Sequence, residues 1–307
     1  MKTLSIDYNM NLGFTDNVTD HYFMLRCIPT ARGCQTVTSR SLELTPNVPL
    51  LAYRDTFGNI AYRGQCYAPH NSFAFQVHAL VQVHSAEGSR EPCQPFYKYN
   101  TPLTACDDAM RDFLHAAAYN SLFMSAVRNR TFDRAHIRSF AEWLSGIVHA
   151  RITYTSGSTT VQTTAAEAFA AKRGVCQDYA HLFVSLARES GVAARYVCGM
   201  SVGEGATHAW AEYFVPDGDR MNSDGSATQG TWFGIDPTRN KSTDDSYVIL
   251  AVGRDFTDCQ IDRGVFCGTV GQTQTVFVKT SEVATNTDIG EFTGHSVNGM
   301  TDLAGQQ

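Results

Sequence analysis

Hydrophobic and polar residues alternate along much of the first 84 positions, in the manner of half-buried strands. The clearest run is Phe73, Phe75, Val77, Ala79, Val81 and Val83 on one face, with Ser72, Gln76, His78 and Gln82 on the other. The pattern predicts strands at Thr3–Tyr8, His21–Ile28, Cys34–Leu44, Ile60–Tyr67 and Phe73–His84, separated by turn signals such as Phe57-Gly58-Asn59. These compose a small β-sandwich-like or barrel-like module over residues 1–84. Residues 85–105 hold Gly88, Pro92, Pro95 and Pro102 among polar residues and read as a linker.

Beyond residue 105 the period lengthens. Met110, Phe113, Leu114, Ala117 and Leu122 predict a helix over Asp107–Ser125. Ile137, Phe140, Ala141, Leu144 and Val148 predict a second over Asp133–Val148. After a Ser/Thr-rich loop, Thr164 and Glu167 approximate a capping box for a short helix, Ala165–Lys172. Val175–Glu189 is apolar nearly all round, which predicts a central buried helix ended by Gly191. Arg195–Met200, His208–Val215 and Thr231–Asp236 read as strands of one sheet, continued by Ser246–Val252 and Thr273–Val278. Residues 106–283 thus form a second domain of mixed α+β class. The polar tail, 284–307, is aperiodic and expected to be partly disordered.

Composition changes this picture little. The chain has 307 residues, more than one core usually serves, so two domains are expected. Hydrophobic residues make up 43% and charged residues 18%, as in an ordinary soluble globular protein. The net charge of −6 comes without a Lys/Arg-rich block, so neither a nucleic-acid nor an anionic-membrane partner is expected. No run approaches a membrane span and the start lacks a signal-peptide pattern, so the expected compartment is the cytoplasm. The nine cysteines are odd in number and lack C-x-x-C spacing, so they are expected as buried hydrophobes, with room for one nucleophile.

Cys176 is the candidate. It sits where the buried helix begins, beside unpaired backbone N–H groups and the positive end of the helix dipole. Those groups favour a thiolate, and the N–H of Cys176 is also placed to hold an oxyanion, with Gln177 a candidate second donor. Gly174 would allow close approach of a substrate. By itself a cysteine such as Cys176 is more often a buried structural residue at a helix end than a nucleophile. A thiolate needs a base. His181 lies five residues on, roughly 140° around the helix, and points away. His208 opens a strand after the loop Val202–Thr207 and shares a face with Trp210 and Glu212. Asp236 ends the next strand before Pro237 and would reach the far nitrogen of His208; a turn residue before proline is its other use. Trp210 and Trp232 would either line a cleft or pack in the core. Arg195 would pair with Asp178 or Glu212.

The segments Gly174-Val175-Cys176-Gln177-Asp178-Tyr179-Ala180-His181, His208-Ala209-Trp210-Ala211-Glu212 and Asp236-Pro237-Thr238 together resemble the core of the bacterial transglutaminase-like family. Gly253-Arg254-Asp255-Phe256-Thr257-Asp258 and Gly264-Val265-Phe266-Cys267-Gly268 extend the likeness, and Asp55-Thr56-Phe57-Gly58-Asn59 resembles that family's N-terminal region. The resemblance covers about residues 1–280. It implies a papain-related fold and a Cys176-His208-Asp236 triad acting on amide bonds, by hydrolysis or by acyl transfer from glutamine to an amine. It implies a peptide or protein substrate and no cofactor or metal. A departure from the family is the insertion Pro216–Gly230, read as a solvated hairpin tip. A zinc site from Cys176, Cys198 and His208 lacks ligand spacing. A non-enzymatic binding module on the same fold is the remaining alternative.

Overall fold

A computed structural model of the chain describes residues 1–84, 88–119, 121–218, 221–222 and 224–283. The expectation for the 284–307 tail lies outside the described residues. The chain opens on one strand of 24 residues, β1 (Lys2–Leu25), where two shorter strands are predicted. The intervening residues keep the period: Tyr8, Met10, Phe14 and Val18 are buried, and only the Asn, Asp and Thr between them disguise the alternation. Next come β2 (Gln35–Thr45), β3 (Leu51–Arg54), β4 (Ile60–Cys66) and β5 (His70–Val83). The first half of β1 pairs with β5, whose predicted apolar face is buried throughout. The second half of β1, past an irregularity between Gly13 and Val18, pairs with β4.

Four helices surround a fifth. They are α1 (Asp108–Ala118), α2 (Met124–Asn129), α3 (Arg134–Arg151) and α4 (Ala165–Ala171), and the central one is α5 (Cys176–Glu189). The helix predicted to run to Ser125 stops at Ala118. Ser121 turns the chain there: its hydroxyl donates to the Ala118 carbonyl and accepts from Phe123 N–H, which competes with helical bonding. Leu122, placed on the apolar stripe by periodicity, is 95% exposed as a result. The Thr164–Glu167 capping box forms as expected.

A two-stranded parallel pair, β6 (Thr153–Tyr154) and β7 (Arg173–Gly174), ties the end of α3 to the start of α5. Behind α5 lies a five-stranded antiparallel sheet built from β8 (Ala194–Ser201), β9 (His208–Pro216), β10 (Gly230–Asp236), β11 (Lys241–Ser242) and β12 (Tyr247–Gly253), in the order β11-β10-β9-β8-β12. Helix α5 packs on β9 and β8, with Ala211 and Tyr213 under Phe183 and Leu186 in one apolar cluster. The class is α+β, with a β-rich N-terminal region and a helix-plus-sheet core, as the periodicity predicts.

Residues 273–278 are a correction. They belong to β14 (Gln272–Glu282), which pairs with the first half of β1, and β13 (Asp262–Cys267) pairs with its second half. Neither strand joins the five-stranded sheet. Alternation marks a strand but not its partner, and β1 offered a free edge. The apolar core is unbroken between the two regions: Ile6, Tyr8, Val81 and Val83 share a cluster with Tyr196, Met200, Val248 and Leu250.

The 85–105 stretch is another correction. Its described residues are bonded into the fold rather than slack. Ser89 exchanges two backbone hydrogen bonds with Trp232, and Cys93 does the same with Thr228. Glu91 reaches a buried ion network. Its carboxylate accepts from Arg195 Nη1 at 2.9 Å and Arg32 Nη1 at 3.2 Å, while Arg195 Nε donates to Glu212. Arg195 stacks 4.3 Å over the Trp232 ring. Burial opposes the charge on Glu91, but the two guanidinium groups prevail and bring its carboxyl down to about 2.

Breaking this network from its centre should be costly. Arg195→Met leaves Glu212 and Glu91 without their shared cation, and urea unfolding should show a loss of about 3–5 kcal/mol. Because the folded Glu91 carboxyl lies below its ordinary 4.5, its contribution is present above that pH. It should fade as pH falls toward about 2, and the pH dependence of the thermal midpoint should be shallower in Glu91→Gln.

Candidate active site

Cys176 is the first residue of α5 and is part-exposed. Its position is set by what lies just before it. Thr155 N–H donates to the Gly174 carbonyl at 2.9 Å, continuing the β6–β7 pair. The carboxylate of Asp178, one turn in, reaches back to accept from Val175 N–H and from the Thr159 hydroxyl, both at 2.7 Å. That bond satisfies one orphan donor at the helix start; those of Cys176 and Gln177, in the first turn, have no intrahelical partner. Gly174 serves this cap rather than a substrate. It is buried, and a Cβ there would stand 2.6 Å from the Asp178 Cβ. The Gln177 side chain is 8% exposed and donates to the Val161 carbonyl at 3.3 Å, tying the preceding loop to the helix.

His208 begins β9 and is buried. Its Nε2 is 2.8 Å from Asp236 Oδ2, at the end of the neighbouring strand β10. Nδ1 makes no hydrogen bond among the described residues and is the nitrogen left for the Cys176 sulfur. Burial alone would push the imidazole down. The Asp236 hydrogen bond and the Cys176 sulfur outweigh it, and the group rises to about 9. Asp236 is itself fully buried. Its Oδ2 also accepts from the Tyr247 hydroxyl at 2.8 Å, and its Oδ1 from the backbone of Thr238 and Arg239 at 2.9 and 3.2 Å. Burial works against its ionisation, yet these donors hold it below the usual carboxylate range.

The remaining predicted residues fall elsewhere. Trp210 and Trp232 are both buried and wall no open cleft. Trp210 lies beside the His208 ring, 6.1 Å between centroids, and over Gly199, where a Cβ would meet it at 2.4 Å. Trp232 belongs to a separate cluster with Tyr97 and Phe214, beneath Arg195. Bulky aromatics on a strand face were ambiguous between core and cleft; Cys93 and Tyr97 cover Trp232, and Cys34, Tyr247 and Ile249 cover Trp210, which decided for core. His181 is buried and accepts from Phe256 N–H, a core histidine as expected. Of the two partners proposed for Arg195, Glu212 is the one it meets.

Several site residues carry no signal in the local sequence. Tyr247, first residue of β12, bonds Asp236 across a sheet in which β9 and β8 separate their strands. Tyr154 on β6 is 52% exposed and lies within the electrostatic reach of Cys176 and Glu204. Glu204 and Arg239 stand at the rim of His208 and Asp236. Arg239 follows Asp236 by three residues, which was the one clue available. Among the described residues, no group of three or more His, Cys, Asp or Glu side chains is arranged to hold a metal ion.

Comparison with known proteins bears on the family and the fold. Residues 122–237 match a family model described as the transglutaminase-like superfamily, and residues 4–82 match the bacterial transglutaminase-like N-terminal region. The chain is 35% identical to the uncharacterized protein Rv2569c of Mycobacterium tuberculosis over 230 residues, 69% of this chain and 70% of that protein. It is 27% identical to the uncharacterized protein ML0607 of Mycobacterium leprae, over 79% of this chain and 85% of that one. Its fold is similar to the crystal structure of a "Putative Cysteine Protease from Cytophaga hutchinsonii", 20% identical, with 93% of this chain and 92% of that one covered at a TM-score of 0.63.

The geometry around His208 makes a spectroscopic prediction. In the unsubstituted protein the ring should stay protonated up to about pH 9. Asp236→Asn removes the strongest support for the charge, so nitrogen NMR should find His208 titrating well below that, toward its ordinary 6.5 or beneath it. An unchanged titration would show that Asp236 does not govern the ring.

Proposed function

The chain belongs to the transglutaminase-like superfamily, and on that premise we propose that it is a cysteine-nucleophile hydrolase of peptide or other amide bonds. The observation that carries the reading is the imidazole of His208, held by Asp236 on one nitrogen and left with Cys176 at the other. In this reading Cys176, His208 and Asp236 act as nucleophile, base and orienter.

The reaction follows from the placement. His208 takes the thiol proton on Nδ1, so the thiolate and imidazolium form together. The thiolate attacks a carboxamide carbonyl, and the developing oxyanion is met by the N–H groups of Cys176 and Gln177 at the start of α5. Collapse breaks the C–N bond, and His208 gives its proton to the departing amine. A thioester on Cys176 remains. A water then gives its proton to His208 as its oxygen attacks the acyl carbon. The carboxylic acid leaves, and Cys176 recovers its proton. Asp236 stays ionised throughout and keeps the ring from turning.

Acyl transfer to an amine would require a thioester shielded from water. The two large aromatics that sequence made available for such a shield, Trp210 and Trp232, are inside the core. The loop 202–207 beside His208 is small and polar, with Gly203 and Gly205 in open space. Water therefore has access, which supports hydrolysis. A peptide or protein substrate is part of this proposal.

Incubation with a glutamine-containing peptide library and a labelled primary amine should yield cleaved or deamidated peptides in excess of amine conjugates. Conjugates outpacing both would reverse the assignment to transfer. Cys176→Ala should abolish turnover. Asp236→Asn should remain folded and lose about 10²–10⁴ in kcat, by analogy with other triads.

A further inference from the structure

Arg239 lies in the turn after β10 and gathers groups from three elements. Its Nη2 donates to Ser201 Oγ at 2.9 Å and pairs with the Glu204 carboxylate. Nη1 donates to the Tyr247 hydroxyl at 3.2 Å, and Nε stands 3.7 Å from Asp236 Oδ2. Glu204 is fixed in its turn by Ser201, whose hydroxyl donates to it at 3.3 Å and whose carbonyl accepts from its N–H. Its carboxylate is thereby held 3.7 Å from His208 Nδ1, the nitrogen that Asp236 does not bind.

The imidazole thus has a carboxylate toward each nitrogen and a single guanidinium that touches both carboxylates. The charged and titratable groups around it are Cys176 from α5, Asp236 from β10, Tyr247 from β12, Glu204 from the 202–207 loop and Arg239 from the turn. Burial, and then the charges of Cys176 and Glu204, raise the phenol of Tyr154 on β6. Within this set, Glu204 favours a protonated ring. Arg239 disfavours it, because its charge draws on Asp236 and Glu204 together.

We propose that Glu204 and Arg239 are an opposed pair of positioning residues that set the pH at which the Cys176–His208 ion pair forms. Neither is needed to hold the fold together, since both lie at the surface with about a third of each side chain exposed. Their balance matters because the ring must be charged to hold a thiolate and neutral to accept a proton from water. The inference rests on Cys176 being the nucleophile.

The test is the pH dependence of Cys176 alkylation by iodoacetamide in the full-length protein, read peptide by peptide by mass spectrometry. In E204Q the midpoint at which the reactive form appears should fall by about one pH unit, because a neighbouring carboxylate opposes loss of the Cys176 proton while His208 stays charged, a modest figure because the site is partly screened by solvent. In R239Q it should rise by a similar amount. R239K keeps the charge and should leave the midpoint near that of the unsubstituted protein. Shifts in the same direction for E204Q and R239Q, or no shift in either, overturn the proposal, since a loop that merely loosened would have no reason to move them oppositely. If E204Q proves unfolded by circular dichroism, the R239Q and R239K pair decides alone. Preferential labelling of another cysteine in the unsubstituted protein would instead overturn the nucleophile reading.

Discussion

A helix that presents a nucleophile from its first residue must not slide along its own axis. A shift of one residue, about 1.5 Å, would carry the sulfur out of reach of a base fixed on a sheet. Helix α5 is locked at both ends against that slip. At its start the Asp178 carboxylate grips Val175 and Thr159. At its far end the buried guanidinium of Arg188 donates to the carbonyls of Tyr97, Ala194 and Arg254 and to the Thr104 hydroxyl. Burial lowers the Arg188 guanidinium to about 10, yet it stays charged at neutral pH. A cation at a helix C-terminus is also favoured by the dipole. The segment expected to be a slack linker therefore supplies two of the acceptors that hold the helix.

His208 is fixed by a different device. Asp236 receives four hydrogen bonds, from a ring, a hydroxyl and two backbone N–H groups. A fully buried carboxylate is costly unless its lone pairs are filled, and here they are. Pro237 ends the strand and lets the next residues fold back as donors, so the turn-forming use of an Asp-Pro pair and its use as an orienter coincide. Helix start and strand ends come together because α5 packs directly on β8 and β9.

The helices and the five-stranded sheet were legible because their periodicity reports burial on one body, as with Ile137, Phe140, Leu144 and Val148 on α3. Cys176, His208 and Asp236 stood out because each sits at an element boundary marked by a glycine or a proline. What stayed hidden depends on partners that only the tertiary fold brings together. Tyr247, Glu91 and Arg188 look like ordinary strand, loop and helix residues until tertiary packing brings their acceptors. The pairing of β14 with β1 was hidden for the same reason, since the apolar run Val276-Phe277-Val278 suits a strand in one sheet as well as in another. The long β1 was obscured by an exposed face rich in Asn, Asp and Thr.

The return of β13 and β14 to β1 orders events during synthesis. β1 leaves the ribosome well before its partners along one whole edge, from Gln272 to Glu282 and from Asp262 to Cys267, which lie more than two hundred residues later. Domains ordinarily complete themselves from the N-terminus as they emerge. Here the module that holds β1 closes only after the helix-plus-sheet half has been made. Until then β1 shows an open edge to any strand nearby, the kind of exposure that invites mispairing. Loop closure over such a separation also slows folding. The helix-plus-sheet half can collapse around α5 beforehand, and its core then becomes the surface on which the earlier strands are finally sealed.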